Sequence, residues 1–278
     1  MVLKRGDKGD AVKVFQRHLN KLGAMLAIDG DFGKGTTGAV VRARAALKQP
    51  GSEEADDALQ TAVANFPDPC PALTAAGMTF IAQFEVTDAA RYEAKFQSPI
   101  VPPNESGVTI GIGYDLRFVN QAEFDGDWGD LLPAEDLAKL ANALQKKGTD
   151  ELLAPVATII VPLSAAMQVF AKRSIPKFLD LARARYPQID GPSLTAAQRT
   201  ALVSLVYNRG NALEGEGDRR REMKAIQELL AAGKIGEVPA QFESMTRLWD
   251  PATERGLITR RRAEAALWSD GFASARLD

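Results

Sequence analysis

Apolar residues recur along most of the chain at the spacing of amphipathic helices. The clearest stripe near the start runs through Val12, Phe15, Leu19 and Leu22. Side chains three and four positions apart share one face of a helix, so this stripe predicts a helix over residues 11–22. The same spacing predicts further helices that begin after Thr74 and lie near 133–147, 164–174, 176–185, 195–210, 219–232 and 257–268. We expect Asp10 to cap the first helix, Thr36 or Thr37 to cap a second one, and Thr195 with Gln198 to form a capping box.

A different pattern interrupts the helices at residues 106–115, which read SGVTIGIGYD. Val108, Ile110 and Ile112 alternate there with threonine and glycine. This two-residue period is that of a strand and predicts a short β-hairpin. We therefore expect a mainly α protein with one small β patch.

Residues 49–71 are rich in proline, glycine, serine and acidic side chains, which predicts a connector that holds one short helix. We divide the chain into a first unit at 1–66, a linker at 67–72 and a larger unit at 73–278. Residues 1–50 hold 10 lysines and arginines against 4 aspartates and glutamates, and the remainder holds 24 against 32. A basic unit followed by an acidic body indicates two different roles, with chance charge drift as the alternative. The net acidic body argues against nucleic-acid binding.

The chain contains one cysteine, Cys70, and one histidine, His18. A single cysteine excludes an intrachain disulfide and a cysteine-based zinc cluster. The zinc pattern H-E-x-x-H is absent, and a serine or cysteine triad would have to use His18, which lies in a helical stripe. We therefore expect carboxylates to carry any chemistry, with no metal and no cofactor.

Three side chains form the candidate catalytic set: Glu85, Thr109 and Asp115. Glu85 falls four positions after Ile81 and seven after Met78, so its carboxyl shares an apolar helical stripe. Two carboxyls and a hydroxyl around a glycine-rich turn can protonate a leaving group and direct a water molecule. Two structural alternatives stay open: Glu85 pairs with an arginine, and Asp115 is a turn or cap residue.

The first unit resembles the peptidoglycan-binding module found at the N-terminus of many wall-lytic enzymes. The resemblance rests on LKRGDKGDAVKVFQRHLNKLG followed by IDGDFGKGTTGAV. It implies a three-helix bundle that binds murein, with Asp29, Gly30, Phe32 and Gly33 in the binding module. The chain then departs from the family with VRARAALKQPGSEEADDALQTAV, which leaves the third helix and the retention of binding open.

The larger unit resembles the phage-type lysozymes, which are muramidases, and among them the pesticin-like branch and related modular endolysins. Four segments carry this resemblance over roughly residues 73–270: QFEVTDAARYE, GVTIGIGYD, LTAAQRTALVSLVYNRG and GLITRRRAEAALW. It implies an α+β lysozyme-like domain in which Glu85 is the general acid and Thr109 and Asp115 position water. Asp115 follows Thr109 by six residues, as in the pesticin-like pattern, whereas the simplest phage lysozymes would use Glu105 as the second carboxylate.

The resemblance also assigns residues around the cleft. Asn208 resembles the amide residue that lines the cleft of the family, with helix C-capping as the structural alternative. Gly107 and Tyr114 are expected to contact the sugar. Arg260 or Arg261 is expected to orient the acid, because the family has an arginine near it.

The sequence therefore predicts an endolysin-type muramidase that hydrolyses the β-1,4 bond between N-acetylmuramic acid and N-acetylglucosamine. Inversion is expected, with the two carboxyl groups about 6.5–9.5 Å apart. Three alternatives remain: a lytic transglycosylase that uses Glu85 alone, an inactive wall-binding protein, and an antibacterial effector with muramidase activity.

Peptidoglycan is the expected partner of a monomeric protein that does not insert into membranes. The charged start, MVLKRGDKGD, predicts no signal peptide, and no apolar run reaches the length of a membrane span. We therefore expect synthesis in the host cytoplasm and action on the wall after release by a holin or a secretion system.

Overall fold

The first three helices form a small bundle. The structure is a computed structural model that describes residues 1–70, 73–103, 105–214 and 218–273. The bundle consists of α1 (Asp10–Lys21), α2 (Lys34–Ala46) and α3 (Asp57–Asn65). Phe15 and Phe32 stack at its centre with ring centroids 6.1 Å apart. Leu59 and Val63 of α3 are fully buried in the same core, so a third helix is present although the sequence there departs from the module that the first unit resembles.

Side-chain hydrogen bonds fix the start of α3. The carboxylate of Asp56 caps the helix by accepting a hydrogen bond from the backbone N–H of Leu59 at 2.8 Å. Arg44 of α2 donates to the carbonyls of Ser52 and Glu54, both at 2.8 Å. These bonds hold the polar segment before α3 against α2 and make residues 49–65 part of the bundle.

The next elements bring a helix and the β-hairpin together in the larger unit. They are α4 (Ala75–Val86), α5 (Ala89–Lys95), β1 (Thr109–Ile110) and β2 (Tyr114–Asp115). The strands are antiparallel, and Thr109 pairs with Asp115. Gly111 and Gly113 both adopt positive φ in the turn, which explains why glycines are needed there.

The remaining helices build the body around a central helix, α11. They are α6 (Gln121–Trp128), α7 (Ala134–Ala141), α8 (Asp150–Leu153), α9 (Leu163–Val169), α10 (Ile175–Arg183), α11 (Ala196–Arg209), α12 (Arg221–Ala231), α13 (Val238–Met245) and α14 (Arg255–Asp270). A π-helical turn, Phe170–Ser174, joins α9 to α10. Short 3-10 turns lie at Leu116–Phe118, Pro187–Asp190, Ile235–Glu237, Thr246–Leu248 and Gly271–Ala273.

The expected fold class is confirmed: the described part of the chain is mainly helical with one two-stranded antiparallel sheet. The capping box that Thr195 and Gln198 were predicted to form at the start of α11 is present. Two other caps were predicted wrongly. Gly9, not Asp10, precedes α1, and Gly33, not Thr36 or Thr37, precedes α2.

Four of the described helices were not predicted: α5, α6, α8 and α13. Helix α8 has only four residues. Helix α5 has only seven residues, too few to show a clear stripe. Helix α6 carries two buried residues, Phe124 and Trp128, among acidic side chains and a glycine. Trp128 is completely buried although aspartates and glycines flank it in the sequence.

The buried apolar residues fall into two clusters, and helix α1 of the first unit contacts helix α4 of the larger unit. One cluster belongs to residues 3–63, and the other takes in residues 70–268 together with Met25. Of the predicted linker at 67–72, Pro71 and Ala72 lie outside the described residues. Among the helices that the structure describes, none combines the length and apolar character needed to cross a membrane.

Candidate active site

Glu85 lies in the last turn of α4, where the sequence placed it on an apolar stripe. Thr74 caps this helix by accepting a hydrogen bond from the N–H of Gly77 at 3.2 Å. Met78 and Ile81 on the same stripe are fully buried, and they anchor the helix in the larger core. The stripe reaches the surface at Glu85, whose side chain is 29% exposed. The carboxylate therefore stands at the boundary between the core and solvent.

Arg260 of α14 holds Glu85. Its Nη1 donates to Glu85 Oε1 at 2.8 Å, and its side chain is only 4% exposed. The other two nitrogens of the guanidinium bind Ser204 of α11: Nε donates to Oγ and Nη2 to the carbonyl oxygen, both at 3.2 Å. Three nitrogens with three different acceptors fix the plane of the guanidinium, as the rigid fork of arginine allows.

A buried carboxylate supports the arginine from behind. Ser204 Oγ donates to Glu264 Oε1 at 2.5 Å, and Arg261 Nη2 donates to the same oxygen at 2.8 Å. Glu264 and Arg261 are fully buried. Burial lowers the pKa of Arg261 to about 10. Of the two arginines predicted to orient the acid, Arg260 contacts Glu85, whereas Arg261 pairs with Glu264.

Glu85, Arg260 and Asn208 line one cavity of about 970 Å³. Asn208 lies near the end of α11, and its Oδ1 accepts a hydrogen bond from Arg261 Nη2 at 3.4 Å. The structure therefore brings the predicted acid, its arginine and the predicted cleft amide together, although they come from three helices. Gln83 and the start of α14 complete this side of the cavity.

The hairpin pairs Thr109 directly with Asp115, and both residues lie against Gly107. Asp115 Oδ1 accepts hydrogen bonds from the backbone N–H groups of Gly107 at 3.0 Å and Arg117 at 2.9 Å. Its Oδ2 also accepts from Gly107 at 3.2 Å. The hydroxyl of Thr109 donates to the carbonyl of Gly107 at 3.3 Å. A side chain at position 107 would collide with Asp115 Oδ1, which explains the glycine.

Asp115 thus performs the turn and cap role that the sequence left open as an alternative. The hairpin residues Gly107, Thr109, Tyr114 and Asp115 are not part of the lining of the cavity that contains Glu85. The structure brings these four residues together, but in a separate group from Glu85, Arg260 and Asn208.

Tyr207 lies between the two groups. A carbon added at Gly113 in the hairpin turn would lie 3.6 Å from the hydroxyl oxygen of Tyr207. The guanidinium carbon of Arg260 lies 5.8 Å from the centroid of the Tyr207 ring. Burial, and after it the charge of Glu85, raises the pKa of the Tyr207 hydroxyl. Sequence reasoning gave Tyr207 no role at the site, although Tyr207 directly precedes Asn208.

Two other predicted residues of the hairpin region have partners of their own. Tyr114 is buried, and its hydroxyl donates to Asp127 at 2.8 Å, so its ring belongs to the core and not to an open sugar site. Glu105, the alternative second carboxylate, is exposed and pairs with Lys147 at 2.7 Å and Arg117 at 3.2 Å. Hydrogen bonds from Lys147 and Arg117 lower the pKa of Glu105.

The predicted wall-binding residues form one turn of the bundle. Asp29 is exposed and accepts hydrogen bonds from Gln16 and from the N–H of Asp31, both at 2.8 Å. The N–H of Gly30 donates to Gln16, and Gly30 has a φ of 77°. Phe32 is completely buried, and Gly33 precedes α2. Asp29 is therefore the member of this set whose side chain reaches solvent.

Comparisons with known proteins add no assignment. No protein-family model matches the chain, and no curated protein matches it. Within the ranges that the structure describes, histidine, cysteine, aspartate and glutamate form no group of three or more that could hold a metal ion.

Proposed function

We propose that this protein is a muramidase that cleaves the β-1,4 bond between N-acetylmuramic acid and N-acetylglucosamine in peptidoglycan. The observation that carries the proposal is the half-buried carboxylate of Glu85, fixed by Arg260 at 2.8 Å on the wall of a large cavity. Glycoside hydrolysis needs such a carboxyl at the scissile bond, positioned to protonate the departing oxygen. The resemblance to phage-type lysozymes gives the substrate class.

Arg260 leaves one oxygen of Glu85 available for chemistry. Among the described residues, only Arg260 hydrogen-bonds to this carboxyl, and it does so through Oε1. Oε2 is then the oxygen that can carry a proton to the glycosidic oxygen. Because Arg260 is itself held by Ser204, the carboxyl keeps one orientation when substrate enters, which reduces the ordering cost of the reaction.

In this proposal Asp115 and Thr109 position the attacking water from the hairpin. The Asp115 carboxylate offers about four acceptor sites, and two backbone N–H groups occupy it mainly through Oδ1. Oδ2 keeps capacity for a water molecule. Tyr207 lies near both the hairpin turn and Arg260, and therefore between the two groups.

The direct test is zymography on purified sacculi with Glu85→Gln and Asp115→Asn beside the parent. Loss of a general acid lowers the rate by about 10²–10⁴-fold, and we expect this for Glu85→Gln. Glu93→Gln is the matched control, since Glu93 follows on α5, is exposed and, within the described ranges, pairs only with Arg42, at 3.5 Å. Clearing by Glu85→Gln at the rate of the parent would refute the proposal.

A lytic transglycosylase is the second candidate, and one observation favours it. Such an enzyme needs a single acidic residue, and the structure gives Asp115 backbone partners outside the Glu85 cavity. Mass spectrometry of digested sacculi separates the two, because only hydrolysis adds water to the product. Products with anhydro ends alone would establish the transglycosylase and exclude the hydrolase.

The proposed substrate also sets where the protein acts. Peptidoglycan lies outside the cytoplasm, so we propose release by a holin, as for an endolysin, or by a secretion system, as for an antibacterial effector. We further propose that the protein works as a monomer without a cofactor. The neighbouring genes would distinguish the two release routes.

A further inference from the structure

A loop of the first unit lines the cavity that contains Glu85. The loop is residues 25–28, which follow α1 and read Met-Leu-Ala-Ile. All four residues line the same cavity as Glu85, Arg260 and Asn208. Ala27 is exposed and Ile28 is half-buried, so their side chains are available at the wall.

Hydrogen bonds give this loop a fixed shape. Asn20 of α1 is completely buried, and its Nδ2 donates to the carbonyl of Leu26 at 2.9 Å. In return the N–H of Leu26 donates to Asn20 Oδ1 at 2.7 Å. A buried amide that both donates to and accepts from one residue holds the backbone on both sides, so the loop presents Ala27 in one position.

The loop is also attached to the larger unit. Met25 is 2% exposed and belongs to the larger core, not to the core of its own bundle. A carbon added at Gly23 would lie 3.0 Å from Cβ and Cγ of Met167, so the backbone there fits closely against α9. Lys21 Nζ donates to the carbonyls of Ala64 and Phe66, which joins the end of α1 to the end of α3. The first unit is therefore packed beside Glu85 and is not a module on a free tether.

We propose that the loop at residues 25–28 is a glycan-binding subsite of the Glu85 cavity, contacted by sugars next to the scissile bond. A cavity of about 970 Å³ is far larger than one sugar needs. The expected ligand is a linear chain of N-acetylated amino sugars, whose acetyl methyl groups and apolar ring faces pack on aliphatic side chains such as Ile28. Asn208 and Gln83 supply hydrogen bonds on the same cavity.

This inference rests on the proposed muramidase function and changes the role of the first unit. A tethered binding module raises the local concentration of enzyme on a polymer and has no effect on a soluble substrate. A subsite, in contrast, contributes to the cleavage of a short soluble glycan. The two roles therefore differ most clearly when no insoluble wall is present.

The test compares Ala27→Trp with Val14→Trp in the full-length protein, on soluble six-sugar fragments of murein glycan and on sacculi. Val14 lies on α1 of the same unit, is 44% exposed and is not part of the cavity wall. We expect kcat/KM on the soluble glycan to fall by about tenfold or more for Ala27→Trp, a loss of about 1.4 kcal/mol. Val14→Trp should match the parent, and both variants should keep the Tm of the parent.

A smaller substitution in the loop at residues 25–28 tests the subsite a second way. Ile28→Ala removes aliphatic contact area without blocking the cavity, so KM on the soluble glycan should rise several-fold while kcat stays unchanged. Equal rates for Ala27→Trp and the parent on soluble glycan would overturn the subsite, as would equal losses in both tryptophan variants. A parent that fails to cleave both the soluble glycan and sacculi would overturn the muramidase proposal as well.

Discussion

Replacing Arg260 with lysine should destabilise the larger unit strongly although the positive charge is kept. Arg260 uses three nitrogens to reach Glu85, Ser204 Oγ and the Ser204 carbonyl. Lysine has one nitrogen on a flexible stem, so it cannot serve all three acceptors from one position. At least two of these acceptors lose their partner, and the arginine side chain that they surround is only 4% exposed.

The number of lost bonds sets the size of the effect. A hydrogen bond to a charged group contributes about 1.5–3 kcal/mol, so two lost bonds cost about 3–6 kcal/mol. The guanidinium also lies 5.0 Å from the centroid of Phe84, and an ammonium at a different position gives up part of that contact. We expect Arg260→Lys to lower the free energy of unfolding by about 3–6 kcal/mol.

Urea denaturation followed by tryptophan fluorescence measures this change. All three tryptophans belong to the larger core, so the signal reports on the unit that contains Arg260. With an m value of about 3 kcal/mol/M, the midpoint should fall by at least about 1 M. Arg262→Lys is the matched control on the same helix, because Arg262 is 66% exposed and lies 3.9 Å from its partner, Glu243. Equal midpoints for the two variants would refute the reasoning.

Two further predictions concern positions away from the cavity. Gly77→Ala should lower the free energy of unfolding by about 1–3 kcal/mol, because the added carbon would lie 2.4 Å from Thr200 Oγ1. Gly126→Ala should raise the free energy of unfolding by about 0.5–1 kcal/mol, because nothing lies within 4 Å of the added carbon. Thermal unfolding of the two variants measures both changes. Burial lowers the pKa of His18, so NMR titration of this single imidazole should give a midpoint below 6.5. Because the unfolded chain then binds a proton more readily than the folded one, His18 contributes fully to the stability of the fold above pH 6.5. This contribution is lost as the pH falls through the folded-state pKa.

Elements with strong local signals could be predicted from the sequence. Thr74 and Thr195 cap α4 and α11 as expected, because a threonine side chain reaches the third N–H of its own helix without help from distant residues. The hairpin also followed from its alternation and glycines. Helix α13 was missed because its strong packing against α14 is a tertiary effect that a short local pattern does not reveal.

The candidate site could be predicted only in part, because its members meet through distant contacts. Periodicity places Glu85 on an apolar stripe but does not say which arginine reaches it across 175 residues. Arg260 and Arg261 are adjacent on α14 and both lie near Glu264, at 3.5 Å and 2.8 Å, but it is Arg260 that pairs with Glu85. The contribution of Ala27 to the cavity depends on the packing of α1 against α4, which neither helix specifies alone.

Asp115 decides between the two candidate reactions, because its structural and chemical roles use different properties of one side chain. Asparagine at this position keeps an Oδ1 that can accept from Gly107 and Arg117, so the hairpin should hold and stability should change by less than about 1 kcal/mol. It cannot supply the negative charge or the second acceptor that a hydrolase needs to direct water. A stable Asp115→Asn variant that loses hydrolysis indicates the muramidase, whereas a stable and fully active one indicates chemistry by Glu85 alone.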